Sequence, residues 1–173
     1  MVERTNERRR ESEPEETLYD QSTKVTNEWV RRRAEGKVII KGSEKPFQQG
    51  RQALLKYMMH VKDWDDLAVP GWKVFINRIK QHSGRHTHQG GTLIYVLEGK
   101  GYTIVDGVKY DWKKGDLILL PIKPDGCEHQ HFNEDPDLPS EWIAFSFRPQ
   151  GEAIASWMEQ KAEHPDWAGT KKK

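Results

Sequence analysis

Residues 84–133 read GRHTHQGGTLIYVLEGKGYTIVDGVKYDWKKGDLILLPIKPDGCEHQHFN. His86 and His88 stand two apart, and further along so do His129 and His131. On an extended strand, side chains at i and i+2 point to the same face. Each pair therefore presents two imidazoles to one side, and imidazole is a ligand for Fe, Zn, Cu and Ni. A single His-x-His is weak evidence, whereas two of them separated by short strands form a metal-site pattern. The two histidines of the second pair share a face, so by geometry alone either can be the third ligand.

The same stretch sets the fold class. Apolar and polar residues alternate over 72–79, 92–97, 101–105, 108–112, 117–120, 128–132 and 141–147, which predicts half-buried strands. Gly99-Lys100-Gly101, Asp106-Gly107 and Lys113-Lys114-Gly115-Asp116 supply the turns, and Asp-Gly between two strands is a strong hairpin signal. Short strands at near-regular spacing predict an all-β sandwich or barrel over 71–150.

Outward from that unit the patterns weaken. Residues 1–17 are a charged tail with no apolar stripe, and such composition predicts disorder. Residues 18–70 read as a helical and extended segment. Within it we expect a helix over 18–34 that buries Trp29 and Val30, with Gly36 as its C′ residue. An edge strand is expected at 38–40. Leu54, Leu55, Met58 and Met59 follow helical spacing, so 51–61 is expected to be a short helix or lid. Residues 151–173 read as a helix over 152–164, turning Ile154, Trp157, Met158 and Ala162 toward the body, then a lysine tail at 171–173.

The chain has 173 residues and a formal net charge of +1, which argues against nucleic acid as a partner. The runs Arg8-Arg9-Arg10 and Arg31-Arg32-Arg33 are local, and the first is followed by glutamates. No apolar stretch reaches membrane-spanning length. The lone Cys127 excludes an intrachain disulfide framework, and the charged N-terminus lacks a secretory pattern. Together these predict a cytoplasmic location, with no membrane partner.

The two motifs in order, His86-Thr87-His88 with Thr92 and Gly99, then Gly115-Asp116, Pro121, His129 and Asn133, resemble those of the cupins. The resemblance implies an all-β cupin double-stranded β-helix, a jelly-roll barrel, here with short N- and C-terminal helices. Within that family the chain is most similar to gentisate 1,2-dioxygenase-like ring cleavers. Three segments carry this likeness: His86-Thr87-His88-Gln89-Gly90-Gly91-Thr92, Gly101-Tyr102-Thr103-Ile104-Val105-Asp106-Gly107 and His129-Gln130-His131-Phe132-Asn133. The resemblance implies one Fe(II) held by His86, His88 and His129, with Mn, Zn or Ni as alternatives. His131 would face the substrate as a catalytic residue. The spacing to Asn133 also favours His129 as the ligand. The chain departs from those enzymes in having one cupin unit where they carry two. It also has Ile94 where they place an arginine that holds the substrate carboxylate.

Three neutral imidazoles leave a divalent ion its full charge, which favours anionic bidentate ligands. Thr92, at the position where other cupins carry a ligating Glu, opens space beside such an ion, although an ordinary β-branched barrel residue would look the same. Gln89 is expected to orient a ligand or the substrate, or else to be solvated. Arg78, on a barrel strand, is the best candidate for reaching an anionic substrate, although a solvent-facing arginine would look the same, and Ile94 is expected to line the same site. Tyr95, Trp112, Trp142, Phe145 and Phe147 are expected to be mostly core. The reading is a non-haem iron dioxygenase acting with O₂ on a hydroxylated aromatic or enolisable small molecule, in a homodimer or higher oligomer. A metal-dependent isomerase, lyase or decarboxylase is the alternative, as is a non-catalytic small-molecule-binding module.

Overall fold

Eleven strands follow one another in the computed structural model, which describes residues 16–169. They are β1 (Gln48–Gln49), β2 (Leu54–Met59), β3 (Trp72–Ile79), β4 (Arg85–His88), β5 (Thr92–Glu98), β6 (Lys100–Val105), β7 (Val108–Lys113), β8 (Leu117–Leu120), β9 (Cys127–Asn133), β10 (Ser140–Phe147) and β11 (Met158–Ala162). Helix α1 (Leu18–Glu35) precedes them, and helix α2 (Arg148–Ala153) lies between β10 and β11. The tail expected at 1–17 falls almost wholly outside the described residues, as does the lysine tail at 171–173.

The strands form two antiparallel sheets, one in the order β1-β2-β3-β10-β5-β8 and the other β11-β4-β9-β6-β7. Alternation decides what lies between them. Ile94 and Val96 of β5 face Trp142 and Ala144 of β10 in the core, joined by Ile79, Trp112, Leu120 and Cys127. The predicted hairpin is present: Asp106 and Gly107 have φ of 48° and 83°, the paired left-handed conformation of a type I′ turn, which matches the strand twist. The double-sheet, all-β architecture expected from the motifs is the one observed.

Two expected helices are strands. Residues 54–59 form β2 along β3, with Leu55 and Tyr57 turned inward at period two. The helical spacing of Leu54, Leu55, Met58 and Met59 lost to the unpaired backbone groups of β3, which a neighbouring strand satisfies. At the other end, α2 stops at Ala153 and residues 158–162 pair as β11 with β4, again covering an otherwise open edge. Met158 is accordingly exposed, not turned toward the body.

The N-terminal helix forms where expected, with a capping box between Thr17 and Asp20, but it buries no residue. Trp29 is 61% exposed and Val30 50%. Its C-terminal end is held to the body by the Arg32–Asp65 ion pair at 2.6 Å and by Lys37 N donating to Asp66 O at 2.9 Å. Gly36 has an extended backbone, not the left-handed one expected. Glycine is needed there because a Cβ would strike the Arg32 carbonyl and the Ala68 backbone. Residues 38–40 form no strand, and Val38 and Ile39 are exposed. Among the described residues no helix is long and apolar enough to cross a membrane.

Candidate metal centre

β4 and β9 are neighbours, and their register sets His86 opposite His129. The i, i+2 spacing then brings His88 to the same inner face, and one nitrogen from each of His86, His88 and His129 lies within 4.8 Å of the others. The ring centroids are 4.2 Å apart for His86–His129, 4.8 Å for His88–His129 and 5.3 Å for His86–His88. His131 points into the same cavity, its ring centroid 5.6 Å from that of His129 and 4.8 Å from that of Trp142.

Burial is the main force on their protonation. It presses His86 down to about 2 and His88 to about 3, helped in each case by the charge that its neighbours would carry. His129 and His131 are lowered by the same burial. All four rings are thus neutral near neutral pH, the state in which imidazole binds a metal. The donor set fits an ion. His129 Nδ1–H donates to the Cys127 carbonyl at 3.0 Å, which leaves its Nε2 lone pair free. His86 Nδ1 is sealed from solvent with no partner of good geometry, and the Gly84 backbone only weakly opposes the downward shift. At His88, Gly90 N–H donates to Nδ1 at 2.9 Å. The proton of the ion-free ring therefore sits on Nε2, and an ion bound at either nitrogen costs that hydrogen bond, because binding at Nε2 moves the ring proton to Nδ1.

The histidines line a cavity of about 260 Å³. Thr92 and Ile94 of β5 contribute to its wall, both buried. Among the described residues no Asp or Glu lines it. Lys73 and Arg148 do line it, and neither has a carboxylate within 4 Å among the described residues. Lys73 is pushed below its usual value by burial and then by the charge of Arg148. Phe147, Ile154, Trp157 and Met158 form a partly exposed apolar rim.

Arg78 lies elsewhere. The alternation of β3 sends Lys73, Phe75 and Asn77 into the cavity and Arg78 to the opposite side. There it pairs with the Glu141 carboxylate and stacks 4.2 Å from the Phe47 ring centroid. Nothing local along the chain singles out Lys73, whose value depends on the distant Arg148. Gln89 is neither solvated nor aimed at an imidazole: it is buried, and its Oε1 accepts from Trp157 N at 2.8 Å, tethering the C-terminal segment. Trp112 and Trp142 are core as expected, whereas Tyr95 is exposed on the outer sheet face and Phe147 lies at the rim.

Residues 78–146 match the family of the cupin domain. A 60-residue stretch is 33% identical to the 5-aminosalicylate 1,2-dioxygenase of Comamonas sp., covering 35% of this chain and 15% of that protein's length. The chain thus spans a small part of this curated relative. Among solved structures, the salicylate 1,2-dioxygenase of Pseudaminobacter salicylatoxidans is 15% identical with a TM-score of 0.53, over 81% of this chain and 36% of that one. A cupin-like protein of Thermotoga maritima is 21% identical with a TM-score of 0.51, over 73% of this chain and 90% of that one. At these identities the structural likeness is one of fold. Motifs, two-sheet architecture and family match agree that residues 78–146 are a cupin domain.

Proposed function

We propose that this chain is a mononuclear non-haem iron dioxygenase that uses O₂ to cleave a carbon–carbon bond in a hydroxylated aromatic or enolisable small molecule bearing an anionic group. The observation that carries the proposal is a cavity holding three convergent neutral imidazoles and no carboxylate among its described lining residues. Distant similarity to a ring-cleaving dioxygenase supports it.

His86, His88 and His129 hold the ion. Bound Fe(II) supplies the electrons and the place where substrate and O₂ meet. The protein's part is binding and orientation. Without a carboxylate ligand the centre keeps its positive charge and draws an anionic substrate. Lys73 and Arg148 replace the expected Arg78 as the cations that hold the anionic group, and the apolar rim of Ile154 and Trp157 excludes water from the ring. Mn, Zn or Ni would fit the same donors, so metal identity is part of the test.

The outer face of the larger sheet supports a homodimer. Leu119, Leu93 and Phe145 form one registered row across β8, β5 and β10, and Leu117, Tyr95 and Ile143 form a second. β8 is also an edge strand of that sheet, so a twofold-related copy would cover both the open edge and the apolar rows. The lone buried Cys127 suits a cytoplasmic setting.

Anaerobic purification, metal analysis and oxygen uptake across catechols, hydroquinones, hydroxybenzoates and β-diketones test the reading. His86→Ala, His88→Ala and His129→Ala should each lose most of the iron, while His131→Ala keeps it and loses turnover. Loss of iron from His131→Ala but not from His129→Ala would overturn the ligand set. Iron-loaded protein that consumes no oxygen with any of these substrates would overturn the dioxygenase.

A further inference from the structure

His131 differs from the other three cavity histidines in what lies behind it. Its cross-strand partner on β6 is Thr103, and Thr103 Oγ1 is 2.7 Å from His131 Nδ1. Trp112 Nε1–H donates to the same hydroxyl oxygen at 2.9 Å. Thr103 is 0% exposed, and Trp112 and His131 are also buried. Gly101, directly opposite Trp112 on the neighbouring strand, makes room for this arrangement. A Cβ there would strike the Phe132 carbonyl and come 2.9 Å from the indole ring.

The direction of these bonds follows from counting protons. An indole N–H only donates, so Thr103 Oγ1 accepts from Trp112. The hydroxyl has one proton left, and among the described residues its one acceptor is His131 Nδ1. Were Nδ1 protonated instead, the hydroxyl proton would be buried with nothing to receive it, which is costly. His131 Nδ1 therefore accepts, and in the neutral ring the proton sits on Nε2, the nitrogen left to the cavity.

We propose that Thr103, its hydroxyl oxygen engaged by the Trp112 N–H, is a positioning residue that holds His131 as the Nε2–H tautomer, making it a fixed hydrogen-bond donor to an oxygen of the bound molecule. The arrangement separates two histidines that share one strand face: the Cys127 carbonyl takes the Nδ1 proton of His129 and frees its Nε2 lone pair, while the Thr103 hydroxyl takes the Nδ1 lone pair of His131 and leaves its ring proton on Nε2. The backbone of His131 is held as well, its N–H donating to Ser83 Oγ at 2.9 Å. The inference concerns the same cavity but needs no particular reaction, so it can fail or hold independently of the oxygenase assignment.

The test is long-range proton–nitrogen NMR on the full chain labelled with ¹⁵N-histidine and loaded with zinc, with His131→Gln assigning the signals. Wild-type His131 should carry its proton on Nε2 alone. Thr103→Val should produce a mixture containing the Nδ1–H form, and Thr103→Ser should restore the wild-type pattern while the His129 signals stay in place. Thr103→Ala removes the same hydroxyl with no methyl in its place and serves if Thr103→Val does not fold. A wild-type His131 protonated on Nδ1 would overturn the proposal, as would a folded Thr103→Val or Thr103→Ala protein with an unchanged tautomer.

Discussion

Thr92 is buried in the cavity wall on β5, opposite Leu120 of β8 and Ser146 of β10. Its short side chain leaves room where a carboxylate would reach toward the histidines. Thr92→Glu should therefore keep or raise metal affinity while cutting oxygen uptake about tenfold or more, because a fourth protein ligand takes a substrate position and lowers the centre's charge. Metal content, oxygen uptake and a thermal melt with metal present check this; unchanged turnover would show that residue 92 does not reach the ion. The histidines themselves make the ion-free fold acid-sensitive. An unfolded histidine titrates near 6.5, whereas His88 and His86 in the fold are held to about 3 and about 2 by burial and mutual repulsion. Below about pH 6.5 the unfolded chain takes up protons that the folded one refuses, so stability is full above that pH and falls as pH drops toward those values. Urea midpoints of metal-free protein at pH 7.5 and 5 should show a larger acid loss in wild type than in His86→Gln.

At the level of elements, the C-terminal segment matters through what it covers. β11 closes the open side of β4, the strand that carries His86 and His88, while the chain between α2 and β11 forms the cavity rim. The side-chain tether from that rim to the first motif is Gln89 Oε1 accepting from Trp157 N. Gln89→Leu should cost about 1 kcal/mol, a typical net hydrogen bond, and hydrogen exchange should rise selectively over 157–162. If exchange there is unchanged, pairing with β4 alone holds the segment. The expected helix over 152–164 missed this because Ile154, Trp157 and Met158 satisfy helical spacing equally well, and nothing local announces that β4 needs a partner.

For the whole molecule, the unpartnered surface lies on the outer face of the larger sheet. Leu93, Tyr95, Leu117 and Leu119 are large, apolar and exposed together, and contiguous patches of this kind mark association surfaces. Leu119→Glu at the β8 edge should convert a dimer to a monomer in light scattering with little change in metal content, since the residue points away from the cavity. A wild-type monomer at tens of micromolar would remove the dimer. Helix α1, which buries nothing of its own, is a second surface whose cover can be followed in the same experiment by comparing the accessibility of Trp29 in monomer and dimer.

What the sequence determined by itself is what depends on neighbours along the chain. Alternation placed β3 and β5 through β10 to within a residue or two, Asp106-Gly107 fixed a hairpin, and i, i+2 spacing put His86 with His88 and His129 with His131 on common faces. Because a strand's faces follow from its pleat alone, the double-sheet fold and a histidine cluster could be read before any pairing was known. The tertiary structure decided whatever depends on an unmet need elsewhere. β2 and β11 are strands because β3 and β4 would otherwise leave backbone groups unpaired. Sheet packing chose which face of β3 meets the cavity: Lys73 enters it beside an arginine far along the chain, while Arg78 lies on the other face, where the register of β3 against β10 offers it Glu141. The roles of His129 and His131, indistinguishable by spacing, part only because a backbone carbonyl stands behind one ring and a buried hydroxyl behind the other.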